Sequence, residues 1–227
     1  MNPTNNQPRG DLRARAVLWD MDGTLINSMP YHWQAWQDIL RQINRTVEHG
    51  VWNQTVGMRN SEIIPLLFPQ MSPAEAAYVD RTKEARYREL IEAQGIELLP
   101  GVATWIQRFQ AAGWKQAVAS SAPPENVAAI AHVLHLNGTF EAMISGADVQ
   151  RGKPEPDIFL AAAQHLNVKP QQCLVIEDAT TGIEAAHRAG MKAIGVLSTH
   201  PHLQADLVVK SMQDLTWEMI ESVLHNE

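Results

Sequence analysis

The sequence predicts an α/β fold, a doubly wound parallel sheet with a small helical domain inserted into it. Three observations carry that expectation. An unbroken apolar run, Ala16–Trp19, is short and stopped by a glycine turn, as a buried strand is. From Pro100 onward, short apolar runs alternate with helical patterns across brief turns, the signature of parallel strands joined by helical crossovers. Between these regions, residues 31–97 hold no convincing strand, so the stretch reads as a helical insertion.

In chain order, residues 1–13 are polar and Asn/Pro-rich, lack the apolar centre of a signal peptide, and read as a flexible tail. After the first strand, 26–30 looks like a hinge, with Pro30 suited to a first helical turn and Ser28 a candidate cap. Apolar spacing predicts helices over 31–43, 61–68 and 73–93. Ser72-Pro73-Ala74-Glu75 is a capping signature, a hydroxyl before a first-turn proline and then an acidic residue. Pro100-Gly101 marks the return to the sheet. Helices are expected over 101–112, 124–135, 156–167, 182–189 and 216–225, and strands over 116–119, 142–145, 174–176 and 192–197, with a short edge at 207–209. The expected division is a tail, 1–13; a sheet domain, 14–30 and 98–227; and a helical cap, 31–97.

The 227 residues are 45% hydrophobic and 19% charged, which fits a globular protein able to bury a core. The formal net charge of -7 argues against a general nucleic-acid binder, because phosphate backbones need clustered Lys and Arg. A small anionic substrate is still compatible, since a few local cations can outvote the average. The single cysteine, Cys173, rules out an intramolecular disulfide and reads as a buried structural thiol in the run Cys173-Leu174-Val175-Ile176. No stretch reaches the length of a membrane span, and no coiled-coil heptads or large apolar stripe are evident. A cytoplasmic monomer with no nucleic-acid or membrane partner is expected. Trp33, Trp52, Trp105, Trp114 and Trp217 are assigned to packing, and His200 and His202, either side of Pro201, to a surface turn.

In such a sheet, chemistry collects at the carboxyl ends of the strands. Four ends or nearby turns carry polar groups of matching kinds. The first delivers Asp20 and Asp22, the second Ser120 and Ser121, the third region Lys153, and the fourth Glu177 and Asp178. Unpaired buried carboxylates are costly, and a cation is their simplest partner. Asp20 therefore reads as a nucleophile and Mg2+ ligand, and Asp22 as the acid/base. Mg2+ and Lys153 would neutralise phosphoryl oxygens, while Ser120 and backbone N–H groups would hydrogen-bond the rest. A carboxylate nucleophile gives a phospho-aspartate and splits one hard step into two easier ones. Taken singly, each piece has an ordinary reading as a turn, a helix cap or a solvated lysine. Four suitable residue types in order, each after a strand, favour phosphoryl transfer.

The set resembles the haloacid dehalogenase-like superfamily, in the branch of sugar-phosphate phosphatases and β-phosphoglucomutases with a helical cap. The matching motifs are Asp20-Met21-Asp22-Gly23-Thr24, Ala119-Ser120-Ser121, Gly152-Lys153-Pro154-Glu155-Pro156-Asp157 and Ile176-Glu177-Asp178-Ala179. The resemblance implies a Rossmann-like core in which Asp20 is phosphorylated and Asp22 is the acid/base. It also implies that Asp22 lends its backbone carbonyl to Mg2+ and that Asp178 completes the ligands, with Glu177 close by. His32 and Trp36 match cap-helix residues facing the active site, Gly57-Met58-Arg59 resembles a cap loop whose Arg meets the substrate, and Lys83 resembles a lysine that contacts the sugar. One departure matters. The mutases hold a second phosphate with a polar stretch after the motif-two serine, ending in Asn; here the stretch is Ala122-Pro123-Pro124, and Asn126 falls two residues too late. Prolines donate no N–H. The expectation is a Mg2+-dependent phosphatase of a small phosphorylated metabolite, such as a sugar phosphate. The alternatives are a β-phosphoglucomutase and, more remotely, a non-catalytic phosphate-binding domain.

Overall fold

The computed structural model describes residues 15–55 and 58–225; the expected tail and Gly57 lie outside the described residues. Six strands form one sheet: β1 (Ala16–Trp19), β2 (Lys115–Ala119), β3 (Ala142–Ile144), β4 (Cys173–Glu177), β5 (Lys192–Val196) and β6 (Leu207–Val209). Their order is β3-β2-β1-β4-β5-β6, and every pairing is parallel. The chain winds outward from β1 through β2 to β3, then returns to β4 and winds the other way. The reversal beside β1 is the topological switch point, where open α/β sheets place their crevice.

Alternation along the strands sends apolar side chains to both faces. Val17 and Trp19 of β1 point into one cluster with Trp105 and Phe109 of α5 (Val102–Ala111) and Ile220 of α9 (Trp217–His225). Ala16 and Leu18 point into the other, with Phe159 of α7 (Asp157–Leu166) and Ile183 of α8 (Thr180–Arg188). Covered on both faces, β1 and β4 can be apolar throughout. A large side chain fully buried in this way contributes about 1.5–3 kcal/mol relative to exposure. Cys173 is buried, and burial pushes its thiol up to about 12, so it is an inert packing residue. Trp105, Trp114 and Trp217 form edge and tilted pairs around Phe109.

Between β1 and α5 lie α1 (Met29–Gln42), α2 (His49–Trp52), α3 (Asn60–Leu67) and α4 (Pro73–Gln94). They share their own apolar cluster, built on Trp36, Ile39, Trp52, Ile63 and Val79. Helix α4 opens on the expected capping box, Ser72 accepting from the Glu75 N–H and Glu75 accepting from the Ser72 N–H. The far end of α4 belongs elsewhere, since Tyr87, Leu90 and Ile91 join the sheet's cluster. One helix thus fastens the inserted helices to the sheet. Two expectations are corrected here. Helix α1 begins at Met29, not 31, and Ser28 makes no side-chain cap bond. The short α2 has no sequence expectation behind it; at four residues it carries too little periodicity to be read. Among the described residues, no helix is long and apolar enough to cross a membrane.

Candidate active site

The loop after β1 is tied to β4 by the Asp20 N–H, which donates to the Ile176 carbonyl at 3.0 Å. That bond sets the ends of the two central strands side by side. Asp20, Glu177 and Asp178 are buried there, and each offers an oxygen within 4.8 Å of the others. Lys153 reaches in from the turn before α7. Its ammonium donates to Asp20 Oδ1 at 2.6 Å, to Glu177 Oε1 at 2.8 Å and to the Ala119 carbonyl at 3.3 Å. Asp178 is held from the other side by the Thr24 hydroxyl at 3.1 Å and by the Thr199 hydroxyl.

Two glycines make this packing feasible. Gly23 has φ +92°, and any Cβ there would collide with the Asp178 carboxylate. Gly182, inside α8, leaves the space that the Glu177 carboxylate occupies.

The electrostatics follow from three carboxylates sharing one ammonium. Burial pushes Asp20 well above the usual carboxylate range; Lys153 offsets part of that, while Glu177 and Asp178 add to it. Burial likewise pushes Asp178 up to about 7, with the charge of Glu177 adding. Burial works against the charge of Lys153, yet Asp20 and Glu177 hold it protonated above its ordinary value. Beside the ammonium, the oxygens of Asp20, Glu177 and Asp178 could hold a divalent cation, and hard oxygen donors suit Mg2+ or a similar ion.

Asp22 is separate from this cluster. The Ser28 hydroxyl donates to Asp22 Oδ1 at 2.5 Å, and His32 Nε2 lies 3.6 Å from the same oxygen. Burial opposes its charge, but His32 and Ser28 hold the carboxyl below its usual value. Ser28 is therefore a partner of Asp22 rather than the helix cap expected.

The inserted helices roof this crevice, enclosing a cavity of about 300 Å³. Asp20, Asp22, Lys153, Glu177 and Asp178 form its floor, and His32, Trp36, Arg59 and Lys83 stand among its walls. Ser121 also lines it. Ser120 does not; it is buried behind the lining, its hydroxyl accepting the Ala122 N–H at 3.1 Å. Trp36 is both a cap-cluster residue and part of the wall, and so is Trp52, which was expected only to pack. Lys83 is 2% exposed rather than a solvated helix lysine, its ammonium 2.9 Å from His32 Nδ1 and 2.7 Å from Glu84 Oε1. Among the described residues, Nε and Nη2 of Arg59 are buried without a hydrogen-bond partner.

The family model for haloacid dehalogenase-like hydrolases matches residues 14–190. The chain belongs to that family. A β-phosphoglucomutase of Bacillus subtilis is 35% identical over 91% of this chain and 93% of its own length. Hexitol phosphatase A of Escherichia coli is 32% identical over 90% of this chain and 94% of its own. Among solved structures, CbbY of Rhodobacter sphaeroides in complex with phosphate superposes with a TM-score of 0.84 at 26% identity, covering 92% of this chain and 99% of that one.

This hydrolase is thus an enzyme related to both sugar phosphatases and phosphomutases. Three of its site features escaped sequence reading. Glu84 and Asn126 are buried, line the cavity and bond to each other at 2.5 Å. They lie 42 residues apart, on a cap helix and a sheet-side helix, so no local pattern joins them. His200 is the third. Its Nδ1 lies 3.1 Å from the Asp178 carbonyl, so it leans inward, while His202 is exposed in the expected turn.

Proposed function

We propose that this hydrolase is a Mg2+-dependent phosphatase of small sugar phosphates that works through a phospho-aspartate on Asp20. In this reading residues 31–97 are a cap over the core formed by 14–30 and 98–227. The enzyme acts in the cytoplasm, which its lone buried thiol favours, and as a monomer, which the lack of coiled-coil heptads in the sequence favours. The placement of Asp20 carries the mechanism. It sits at the switch point, beside a buried ammonium and two further carboxylates, with its path open to the cavity.

A bound Mg2+ supplies positive charge against the phosphoryl oxygens. Lys153 adds a second charge, and it fixes Asp20 Oδ1 so that the carboxylate presents an oxygen to phosphorus. Asp20 attacks, the bond from phosphorus to the sugar oxygen breaks, and Asp22 gives that oxygen its proton. Asp22, now a carboxylate, takes a proton from water, which attacks phosphorus and releases phosphate and Asp20. In this reading Ser121 meets the phosphate, Ser120 braces the turn from behind, and Arg59, Lys83, His32 and Trp36 stand on the cap side. The cap's apolar wall keeps bulk water from the first step.

Hydrolysis is favoured over mutation by one feature. Pro123 and Pro124 line the cavity where a second phosphate would need donors, and they have none. The Asn126 side chain replaces them only in part, because one of its two N–H groups is engaged by Glu84 and its oxygen accepts from Arg88. Arg59 favours the second reading, a phosphomutase, since its unpartnered nitrogens could hold another phosphate. Phosphate release from a panel of sugar monophosphates with Mg2+ tests the choice, with β-glucose 1-phosphate assayed in parallel for glucose 6-phosphate. Free phosphate without an isomerised product is expected. Isomerisation with little free phosphate overturns the phosphatase reading.

A further inference from the structure

A line of polar contacts crosses the cap and returns to the core. It begins at Asn126, fully buried in α6 (Pro124–Val133). Its Nδ2 donates to Glu84 Oε2 at 2.5 Å, while its Oδ1 accepts from Arg88 at 2.9 Å, so both ends of the amide are fixed. The other oxygen of Glu84 accepts the Lys83 ammonium at 2.7 Å. The Lys83 ammonium lies 2.9 Å from His32 Nδ1, and the Tyr87 ring stacks on the imidazole at 4.0 Å and 5°. His32 Nε2 then faces Asp22 Oδ1 at 3.6 Å.

The chemistry of this line has one direction. An ammonium can only donate, so Nδ1 of His32 must accept. The proton of the neutral imidazole is then on Nε2, aimed at Asp22. Glu84 fixes the ammonium that makes this choice; Asn126 fixes one oxygen of Glu84 from the core, and Asn60 donates to the other at 2.5 Å from within the cap. Asn126 and Asp22 are on the core, whereas Glu84, Lys83 and His32 are on the cap. The line is complete only when the cap is seated.

We infer that Glu84 and Asn126 are positioning residues: they complete the chain, spanning cap and core, that holds His32 in the tautomer whose Nε2–H faces Asp22. The inference rests on the role proposed above for Asp22 as acid toward the leaving oxygen.

Two measurements on the full chain test this. The first is kcat/KM over a series from ethyl phosphate to p-nitrophenyl phosphate, for wild type, Glu84→Gln, Glu84→Asp and Asn126→Ala. A well-placed acid matters for an alkoxide and little for p-nitrophenolate, which leaves without a proton. Glu84→Gln and Asn126→Ala are expected to lose about tenfold or more on ethyl phosphate but under about threefold on p-nitrophenyl phosphate, with Glu84→Asp recovering part of the loss. An equal loss along the series, or none, overturns the positioning role. The second is the nitrogen NMR spectrum of histidine-labelled protein. His32 is expected as the Nε2–H tautomer in wild type, with that population reduced in Glu84→Gln; an Nδ1–H tautomer in wild type overturns the inference. Asp20→Asn separates the failures. If it still turns over, the phospho-aspartate reading falls; if it is dead and the series shows no change in slope, only the positioning role falls.

Discussion

A single methyl group decides whether Glu177 can stay where it is. Gly182 looks like a weak residue in a short helix, and its reason is invisible until the Glu177 carboxylate is seen in the space a Cβ would take. Gly182→Ala is expected to cost about 1–3 kcal/mol by overpacking, read as a lower Tm. Under the proposed mechanism it should also weaken the apparent Mg2+ affinity in phosphate release by about 10- to 100-fold, because the displaced carboxylate is one of the three that could hold the cation. Unchanged Mg2+ affinity would separate Glu177 from that set. Legibility at this scale follows the chemistry. That Asp20, Lys153, Glu177 and Asp178 come together could be anticipated because charges at strand ends have few structural uses. Ser28 could not, since a hydroxyl before a proline looks like a helix cap, and only the fold shows that it donates to Asp22.

Helix α4 has two partners along its length, and the pair Lys83–Glu84 sits where it passes from one to the other. Burial works against the charge of Glu84, but Lys83, His32 and Asn126 hold its carboxyl down at about 2. A carboxyl depressed in the folded state stabilises above its unfolded value of 4.5, and that stability is lost as pH falls through about 2. Over that window Glu84→Gln should flatten the loss of stability with acid by on the order of 3 kcal/mol, measured by denaturant unfolding at several pH values. An unchanged acid profile would contradict the buried pair. Ser72→Ala removes only the box at the start of α4 and should cost about 1 kcal/mol without altering turnover. The box was legible because its residues are adjacent in sequence. The Glu84–Asn126 bond was not, because it depends on how α4 crosses α6, which local periodicity does not specify.

At the scale of the molecule, the sheet brings three carboxylates together against one ammonium, and the rest of the fold bears that cost. Mg2+ should therefore raise the Tm, by the equivalent of about 2.7 kcal/mol at a hundredfold excess over its Kd. Asp178→Asn should abolish most of that rise while stabilising the metal-free protein. The sheet and the helical insertion were readable because strand–helix alternation has few topological solutions. How the cap is seated was not readable, since it rests on long-range contacts such as Arg88 to Asn126. The central claim concerns one bond, from phosphorus to Asp20. Its most direct test is an acid quench of the Mg2+-loaded enzyme during turnover of a labelled sugar phosphate, followed by peptide mapping. Label on the peptide carrying Asp20, absent in Asp20→Asn, is the predicted result. Steady turnover with no covalent label, or label on another residue, would contradict it.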